Sequence, residues 1–415
     1  MKRYGCIGKV LVHSFSKEIH ARLADYDYEL MELSEDELPT FFAARDFAAI
    51  NVTIPYKERV IPFLNEIDEF AVRVGAVNTV VNRNGKLTGY NTDYYGMTAL
   101  ILRMGLNFRG KKVLILGSGG TAKCARAVAE DLGAKDILTL SRTKKEGCIT
   151  YIEAKTHHAD AAFLINTTPV GMYPNINACP VDIDDFPRLE GVVDAVYNPL
   201  STRLVSTAKA HGIKAECGLF MLVAQAVRAA ELFLGTNFEA CVAENVFAAL
   251  LASKENVVLI GMPGCGKSTV GRLLDLNGFR FVDTDTEVEK RCGCSISELI
   301  KTKGEDVFRN LESDVIREVG AQSAHIISTG GGAILREENV RALKQNGRLF
   351  FLDAPLSRLQ ATSDRPLSDT SEKLAKLYEQ RRPVYLACAD VTVPDFATPK
   401  ETADYILSKR TETLL

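Results

Sequence analysis

The sequence predicts an α/β protein of two to three domains, each built from strands that alternate with helices. Three observations carry that prediction. The apolar run KKVLILG at 111–117 feeds GSGGTA at 117–122, which fits G-x-G-x-x-A, the glycine pattern that lets a backbone approach a dinucleotide pyrophosphate. A second apolar run, NVVLIG at 256–261, feeds GMPGCGKST at 261–269, which fits G-x-x-x-x-G-K-[ST], the loop that wraps nucleoside triphosphate phosphates. Further apolar runs recur along the 415 residues, separated by helix-like stretches and polar or proline-rich turns.

In chain order, strands are expected at YGCIGK, YELMEL, AAINVTI and NTVVNRNGKLTGYN within residues 1–104, an α/β domain of its own. Residues 105–218 form a parallel, doubly wound unit. Its first strand enters the glycine loop, TAKCARAVAEDLGA makes a helix ended by Gly133, and DILTL, AFLINT and VVDAVY supply further strands. The strongly helical 219–252 completes the first domain. Polar SKEN at 253–256 precedes a fresh strand, so a P-loop domain is expected over 254–415, with FRFVDTD, HIISTGGG and RLFFLDA as its other strands.

The bulk numbers exclude some partners. A net charge of −3 argues against a general nucleic-acid or membrane-surface role. The most apolar stretch, 219–235, is broken by Gln225, Arg228 and Glu231 and reads as a helix of a soluble fold, not a span. MKRYGCIGKV has no signal-peptide run, so a cytoplasmic protein acting on small molecules is expected. Its ten cysteines are scattered, and the closest pair, Cys292-Gly-Cys294, has neither C-x-x-C spacing nor a matching pair for zinc; reduced thiols are expected.

For the first nucleotide, Gly117, Gly119, Gly120 and Ala122 make the cradle, with a helix N-terminus for the pyrophosphate. Where an NAD binder carries an acidic residue, this chain has SRTKK at 141–145. Arg142 with Thr143 and Lys144 suits a 2′-phosphate, so NADP is favoured; a solvated basic turn is the alternative.

Polar groups also gather at the strand ends in HSFS (13–16), NVTIPYKE (51–58), GAVNTVV (75–81) and GYNTDYYG (89–96). With NTTPVGM, VYNP and GLFMLVAQ further on, residues 1–250 resemble shikimate dehydrogenase. The resemblance implies reduction of a ketone by NADPH, with Lys57 and Asp93 as the catalytic pair. It also implies Ser14 and Ser16 on the substrate carboxylate, and Thr53, Asn78 and Gln225 on the ring hydroxyls. The chain departs from that family's pattern at Val10, Lys17 and Ala21.

In the second half, Gly261, Gly264, Gly266, Lys267, Ser268 and Thr269 form the ATP loop, with Lys267 on the β/γ-phosphates and Ser268 on Mg²⁺. Asp283 and Asp285, one residue apart, are expected to share a face of an extended segment. Followed by GEDVFRNLE, STGGGA, DRPL and RRPVY, they make residues 255–415 resemble shikimate kinase, a P-loop fold of the nucleoside monophosphate kinase type. That resemblance implies Asp285 on the attacked hydroxyl, Asp283 supporting Mg²⁺, and Arg309 and Arg381 on the substrate carboxylate. It places Gly330, Gly331 and Gly332 against the ring and Arg365 in a lid. Arg309 and Glu312 could instead be a helix-surface pair, and the glycine run a flexible turn.

Together the halves imply a bifunctional enzyme: NADPH-dependent reduction of 3-dehydroshikimate, then ATP- and Mg²⁺-dependent phosphorylation of shikimate. The alternatives are a first half of relaxed quinate/shikimate selectivity, or one half acting as a silent binding or regulatory module.

Overall fold

The structure is a computed structural model that describes residues 3–11, 14–274, 276, 278–359 and 370–412. It divides into two compact units, Met1–Phe247 and Ala248–Leu415. The division falls inside the helix Val242–Lys254, a few residues before the expected boundary.

The first unit holds two sheets. One combines β1 (Arg3–Gly8), β2 (Tyr28–Glu32), β3 (Phe47–Val52), β4 (Glu66–Ile67), β5 (Thr79–Arg83) and β6 (Lys86–Tyr90) in the order β2-β1-β3-β5-β6-β4. β1 runs parallel to β2 and β3, whereas β5 is antiparallel to both β3 and β6. The second sheet contains β7 (Lys112–Leu116), β8 (Asp136–Ser141), β9 (Cys148–Thr150), β10 (Phe163–Asn166), β11 (Gly191–Asp194) and β12 (Lys214–Glu216). All its pairs are parallel, in the order β12-β11-β10-β7-β8-β9. Sequence order reverses between β7 and β10, which opens the crevice where such sheets take their ligands. Helices cover both faces, so β7, β10 and β11 are apolar runs with almost no exposed side chain.

The expected helical block at 219–252 is two helices, Leu219–Leu234 and Val242–Lys254, because Gly235 takes φ 69 and ends the first. Leu219–Leu234 packs against the helix Thr92–Arg103 through Gly96. A Cβ on Gly96 would stand 2.5 Å from the Met221 carbonyl oxygen and 3.0 Å from Gln225 Cβ, so only glycine permits the approach.

The second unit is built on β13 (Asn256–Ile260), β14 (Arg280–Asp283), β15 (His325–Ser328), β16 (Gly347–Leu352) and β17 (Val391–Val393). They form an all-parallel sheet in the order β14-β15-β13-β16-β17, with β13 fully buried at its centre. All ten cysteines are free thiols. No helix among the described residues is long and apolar enough to cross a membrane.

His20 anchors the helix Ser16–Leu23 that follows the serine loop. Its ring stacks on Tyr28 at 4.0 Å, and its Nδ1 lies 2.6 Å from the Tyr26 hydroxyl. Burial pushes its pKa down to about 3, so the folded chain keeps the imidazole neutral while an unfolded histidine takes a proton near pH 6.5. This contribution is complete above the unfolded pKa and is lost as the pH falls toward the folded one, by about 1.4 kcal/mol per pH unit. His20→Phe is therefore expected to flatten the acid limb of stability, measured by urea denaturation between about pH 4 and 7. An unchanged slope would remove His20 from the account.

Candidate active sites

The first site forms where β1, β3 and β6 end and β5 begins. Thr53 follows β3 and is fixed by its N–H to the Ile7 carbonyl at 3.0 Å. Lys57 lies four residues on, its own carbonyl accepting from Val77 at 2.8 Å. Asn91 follows β6 and caps the helix Thr92–Arg103, its Oδ1 accepting from Tyr94 N at 3.1 Å. That cap puts Asp93 in the first helical turn, where its Oδ2 accepts from Lys57 Nζ at 2.5 Å. Burial disfavours the Lys57 ammonium, but the charge and hydrogen bond of Asp93 outweigh it and hold its pKa above the ordinary lysine value. Lys57 is thus a partly exposed cation with a fixed direction.

Behind the pair runs a buried polar chain. Tyr28 donates to Asn51 Oδ1 (2.7 Å), Asn51 Nδ2 to Thr79 Oγ1 (3.1 Å), and Thr92 N to Asn78 Oδ1 (2.7 Å). Asn78 Nδ2 donates to Thr92 Oγ1 (3.0 Å), and Thr92 Oγ1 in turn to Gln225 Oε1 (3.2 Å). The predicted Asn78 and Gln225 are therefore joined through Thr92. Sequence reasoning missed Asn51, Thr92 and Tyr28. The signal for the first two lay within the quoted motifs, as a buried amide in an apolar strand and a hydroxyl beside Asp93. Ser14 and Ser16 are half-buried; Ser16 N donates to Ser14 Oγ at 3.3 Å, and Ser16 lies beside the Tyr28 phenol. Tyr197, which follows β11, packs on Phe15 between the serines at 5.4 Å and was also missed.

The dinucleotide cradle lies at the C-terminal end of β7. Gly117 has φ 103, and a Cβ there would fall 2.8 Å from Thr168 Cγ2. Gly119 precedes the helix Gly120–Asp131, and a Cβ on Gly119 or Gly120 would meet nothing within 4 Å. The helix therefore starts against open space, which suits a pyrophosphate. Ala122 is buried against the core. Arg142, Thr143 and Lys144 are exposed just beyond β8, and neighbouring Lys145 Nζ reaches Ser118 Oγ at 3.5 Å, so the basic turn borders the glycine loop. These residues fit NADP.

The second site is a cavity of about 600 Å³ at the ends of β13, β14 and β15. Gly264, Gly266, Lys267, Ser268 and Thr269 line one side, and Asp283, Asp285, Arg309, Gly330, Gly331, Gly332 and Arg381 the other. Gly261 lies behind it, its carbonyl accepting from Lys267 Nζ at 2.9 Å. Arg365 lies outside the described residues.

One expectation needs correction. Asp283 and Asp285 do not share an extended face, because aspartate is a strong helix N-cap and the strand stops at Asp283. Asp283 Oδ1 accepts from Asp285 N (3.1 Å) and Thr286 N (3.3 Å), and Asp285 belongs to the first turn of the helix Thr284–Cys292. Asp283 Oδ2 accepts from the Ser268 hydroxyl at 2.6 Å. These adjoining hard oxygens fit Mg²⁺, which keeps several waters and takes few protein ligands.

Arg309 does pair with Glu312 at 2.7 Å, yet Glu312 is fully buried and lines the cavity, so this is no surface pair. The glycine run is a matter of clearance. A Cβ on Gly330 would stand 2.5 Å from both Asp285 Oδ1 and Glu312 Oε1, and one on Gly332 would strike the Arg309 guanidinium. Arg382 forms a fork with Asp353 at 2.9 and 2.6 Å, leaving Arg381 to enter the cavity. Burial, then the Glu312 and Asp283 carboxylates, raise the Asp285 pKa to about 6 against the opposing pull of Lys267 and Arg309. Asp285 Oδ1, Glu312 Oε1 and Arg381 Nε are buried with no partner among the described residues. Such atoms call for a polar ligand.

Comparison with known proteins follows this division. A family profile described as shikimate dehydrogenase substrate binding domain matches residues 6–80, and one described as shikimate kinase matches 263–411. The chain is 37% identical over 268 residues to a shikimate dehydrogenase (NADP(+)) of Clostridium perfringens, covering 60% of this chain and 98% of that protein. A Geobacillus kaustophilus shikimate dehydrogenase (NADP(+)) is also 37% identical, over 56% of this chain and 93% of its own length. The crystal structure of a chorismate mutase/shikimate 5-dehydrogenase fusion protein from Clostridium acetobutylicum superposes with a TM-score of 0.57 at 32% identity, over 60% of this chain and 97% of that one. The Thermus thermophilus shikimate 5-dehydrogenase, solved with NADP(H) and shikimate, gives 0.54 at 29% identity, over 60% and 99%. The chain belongs to the shikimate dehydrogenase family and carries a shikimate kinase domain at its C-terminal end.

Tyr385, four residues beyond Arg381 on the same helix, places its buried hydroxyl 2.9 Å from the Gly261 carbonyl and 2.5 Å from that of Gly331. One phenol thus ties the nucleotide loop to the glycine run opposite. Tyr385→Phe is expected to cost about 1–2 kcal/mol of stability and to raise KM for ATP and for the acid together. Chemical denaturation and initial-rate kinetics check this; a change confined to one substrate would refute the tie.

Proposed function

We propose that this cytoplasmic chain reduces 3-dehydroshikimate with NADPH at its first site and phosphorylates the resulting shikimate at its second. The observation that carries the proposal is shared by both units. Each sets a phosphate cradle beside polar side chains suited to the same hydroxylated ring acid.

In the first unit, bound NADPH supplies the hydride, held by Gly117, Gly119, Gly120 and the basic turn at Arg142, Thr143 and Lys144. Ser14 and Ser16 bind the carboxylate, while Thr53, Asn78 and Gln225 orient the hydroxyls. The Lys57 ammonium, aimed by Asp93, stabilises negative charge growing on the carbonyl oxygen and gives it a proton.

In the second unit, Arg309 and Arg381 take the carboxylate, and their buried cations leave the ring only one orientation. Asp285 accepts the proton of the attacking hydroxyl, for which a pKa near 6 is well placed. Mg²⁺, when held by Ser268 and Asp283, neutralises phosphate charge, and Lys267 contacts the same phosphates. Arg365 is assigned to the lid on the sequence motif alone.

A coupled assay with 3-dehydroshikimate, NADPH, ATP and Mg²⁺ should yield shikimate 3-phosphate. Efficient NAD-linked oxidation of quinate would instead mark a relaxed dehydrogenase. Lys57→Ala is expected to lower reduction by about 10²–10⁴-fold and leave phosphorylation intact, with Lys267→Ala doing the converse. Loss of both activities from either change in a folded chain would contradict independent sites. Arg142→Ala should raise KM for NADPH about tenfold or more and spare NADH, as titrations with the two nucleotides would reveal.

A further inference from the structure

We propose that Cys292 and Cys294 form a redox-active dithiol, a covalent modification site that closes to a disulfide and reshapes the kinase cavity from behind. The two sulfur atoms lie 3.6 Å apart, the Cys294 thiol donating to Cys292. Gly293 between them has φ 72, a left-handed conformation natural to glycine, and caps the helix Thr284–Cys292 through its N–H to the Glu289 carbonyl at 2.9 Å. The reversal it imposes brings the two side chains together. Closing the bond needs an approach of about 1.6 Å, within reach of a single link residue free to turn. Both thiols are partly exposed, unlike the buried Cys6, Cys124 and Cys217.

The position gives the modification a consequence. The link joins the helix that carries Asp285 in its first turn to the helix Ile296–Lys303. Ser295 and Ile296, directly after Cys294, line the cavity, and Ile296 N donates to Glu289 Oε1 at 3.1 Å. Both sulfurs pack on the apolar core of the unit. Drawing them together therefore shifts a segment whose next residues form the cavity wall.

The chemistry balances with a small disulfide such as glutathione disulfide. One protein thiolate attacks a sulfur of the small disulfide and releases a thiolate, leaving a mixed disulfide. The second protein sulfur then displaces the remaining small thiol. Two electrons pass from the cysteines to the small disulfide, and the two protons end on the released thiols.

The cavity consequence rests on the kinase reading, whereas the modification does not. The full chain is incubated with glutathione disulfide, the remaining thiols are alkylated, and the peptide holding both cysteines is analysed by mass spectrometry. We expect loss of two hydrogen atoms from that peptide, reversed by dithiothreitol, while exposed Cys241 carries glutathione. Cys292→Ser and Cys294→Ser should each trap glutathione on the remaining sulfur. A peptide that stays reduced while Cys241 reacts would overturn the proposal, as would stable glutathione on Cys292 or Cys294 of the unsubstituted chain. Closure should raise the kinase KM for shikimate severalfold and leave dehydrogenase rates unchanged. Closure with unaltered kinase kinetics would overturn the cavity consequence. Absence of kinase activity in the reduced chain would count against the kinase reading and leave the mass result standing.

Discussion

The contact between Lys57 and Asp93 depends on a helix N-terminus being pinned to the ends of central strands. Asn51 and Thr79 belong to neighbouring strands, Thr92 opens the helix, and Gln225 comes from a second helix more than a hundred residues away. Their side chains are buried and bond one another, so each amide or hydroxyl that fails to meet its partner carries a desolvation cost. A satisfied network of this kind tolerates one arrangement. Gly96 makes the last link possible by letting the two helices approach until Gln225 reaches Thr92. The ammonium is then oriented before substrate arrives, and little reorganisation remains for the reaction itself.

The second unit handles polarity in the opposite sense. Its frame is satisfied: Asp283 caps a helix, Arg382 forks onto Asp353, and Tyr385 holds two loops. Its cavity differs, since Asp285 Oδ1, Glu312 Oε1 and Arg381 Nε are buried without partners among the described residues. A ligand that leaves one such atom unmet forfeits about 1–3 kcal/mol. A ring acid with hydroxyls and a carboxylate supplies acceptors for the guanidinium and donors for the carboxylates. A ligand that meets all three atoms at once is thereby selected over one that meets fewer.

Much of this was legible in the sequence because strands that end in glycine loops leave a strong local signature. β7 and β13 stand where their apolar runs place them, and both cradles follow directly. The order of the strands and the sheet that each joins came only with tertiary structure. The same is true of Thr92: a threonine after a turn reads as a cap, and only Asn78 and Gln225 reveal it as a junction. Asp283 and Asp285 were misplaced for a related reason. An alternating pair reads as a strand until the capping preference of the first residue decides that the second begins a helix. β17 is three residues long and too short to register as a periodic pattern.

The two lysines show how one side chain serves two purposes through its partner. Lys57 faces a carboxylate, so its charge is compensated and fixed in direction before any ligand binds. A substrate carbonyl gains little from it in the ground state and more as negative charge develops, which is the difference that accelerates a reaction. Lys267 donates to the neutral carbonyls of Gly261 and Met262, at 2.9 and 3.0 Å, and to Cys265 Sγ at 3.8 Å. Exchanging those for phosphate oxygens replaces neutral hydrogen bonds with charge-assisted ones, so the gain falls on binding the nucleotide. The sequence motifs mark both residues as basic groups near a site; in the function proposed above, the presence or absence of a counter-charge suits Lys57 to chemistry and Lys267 to capture.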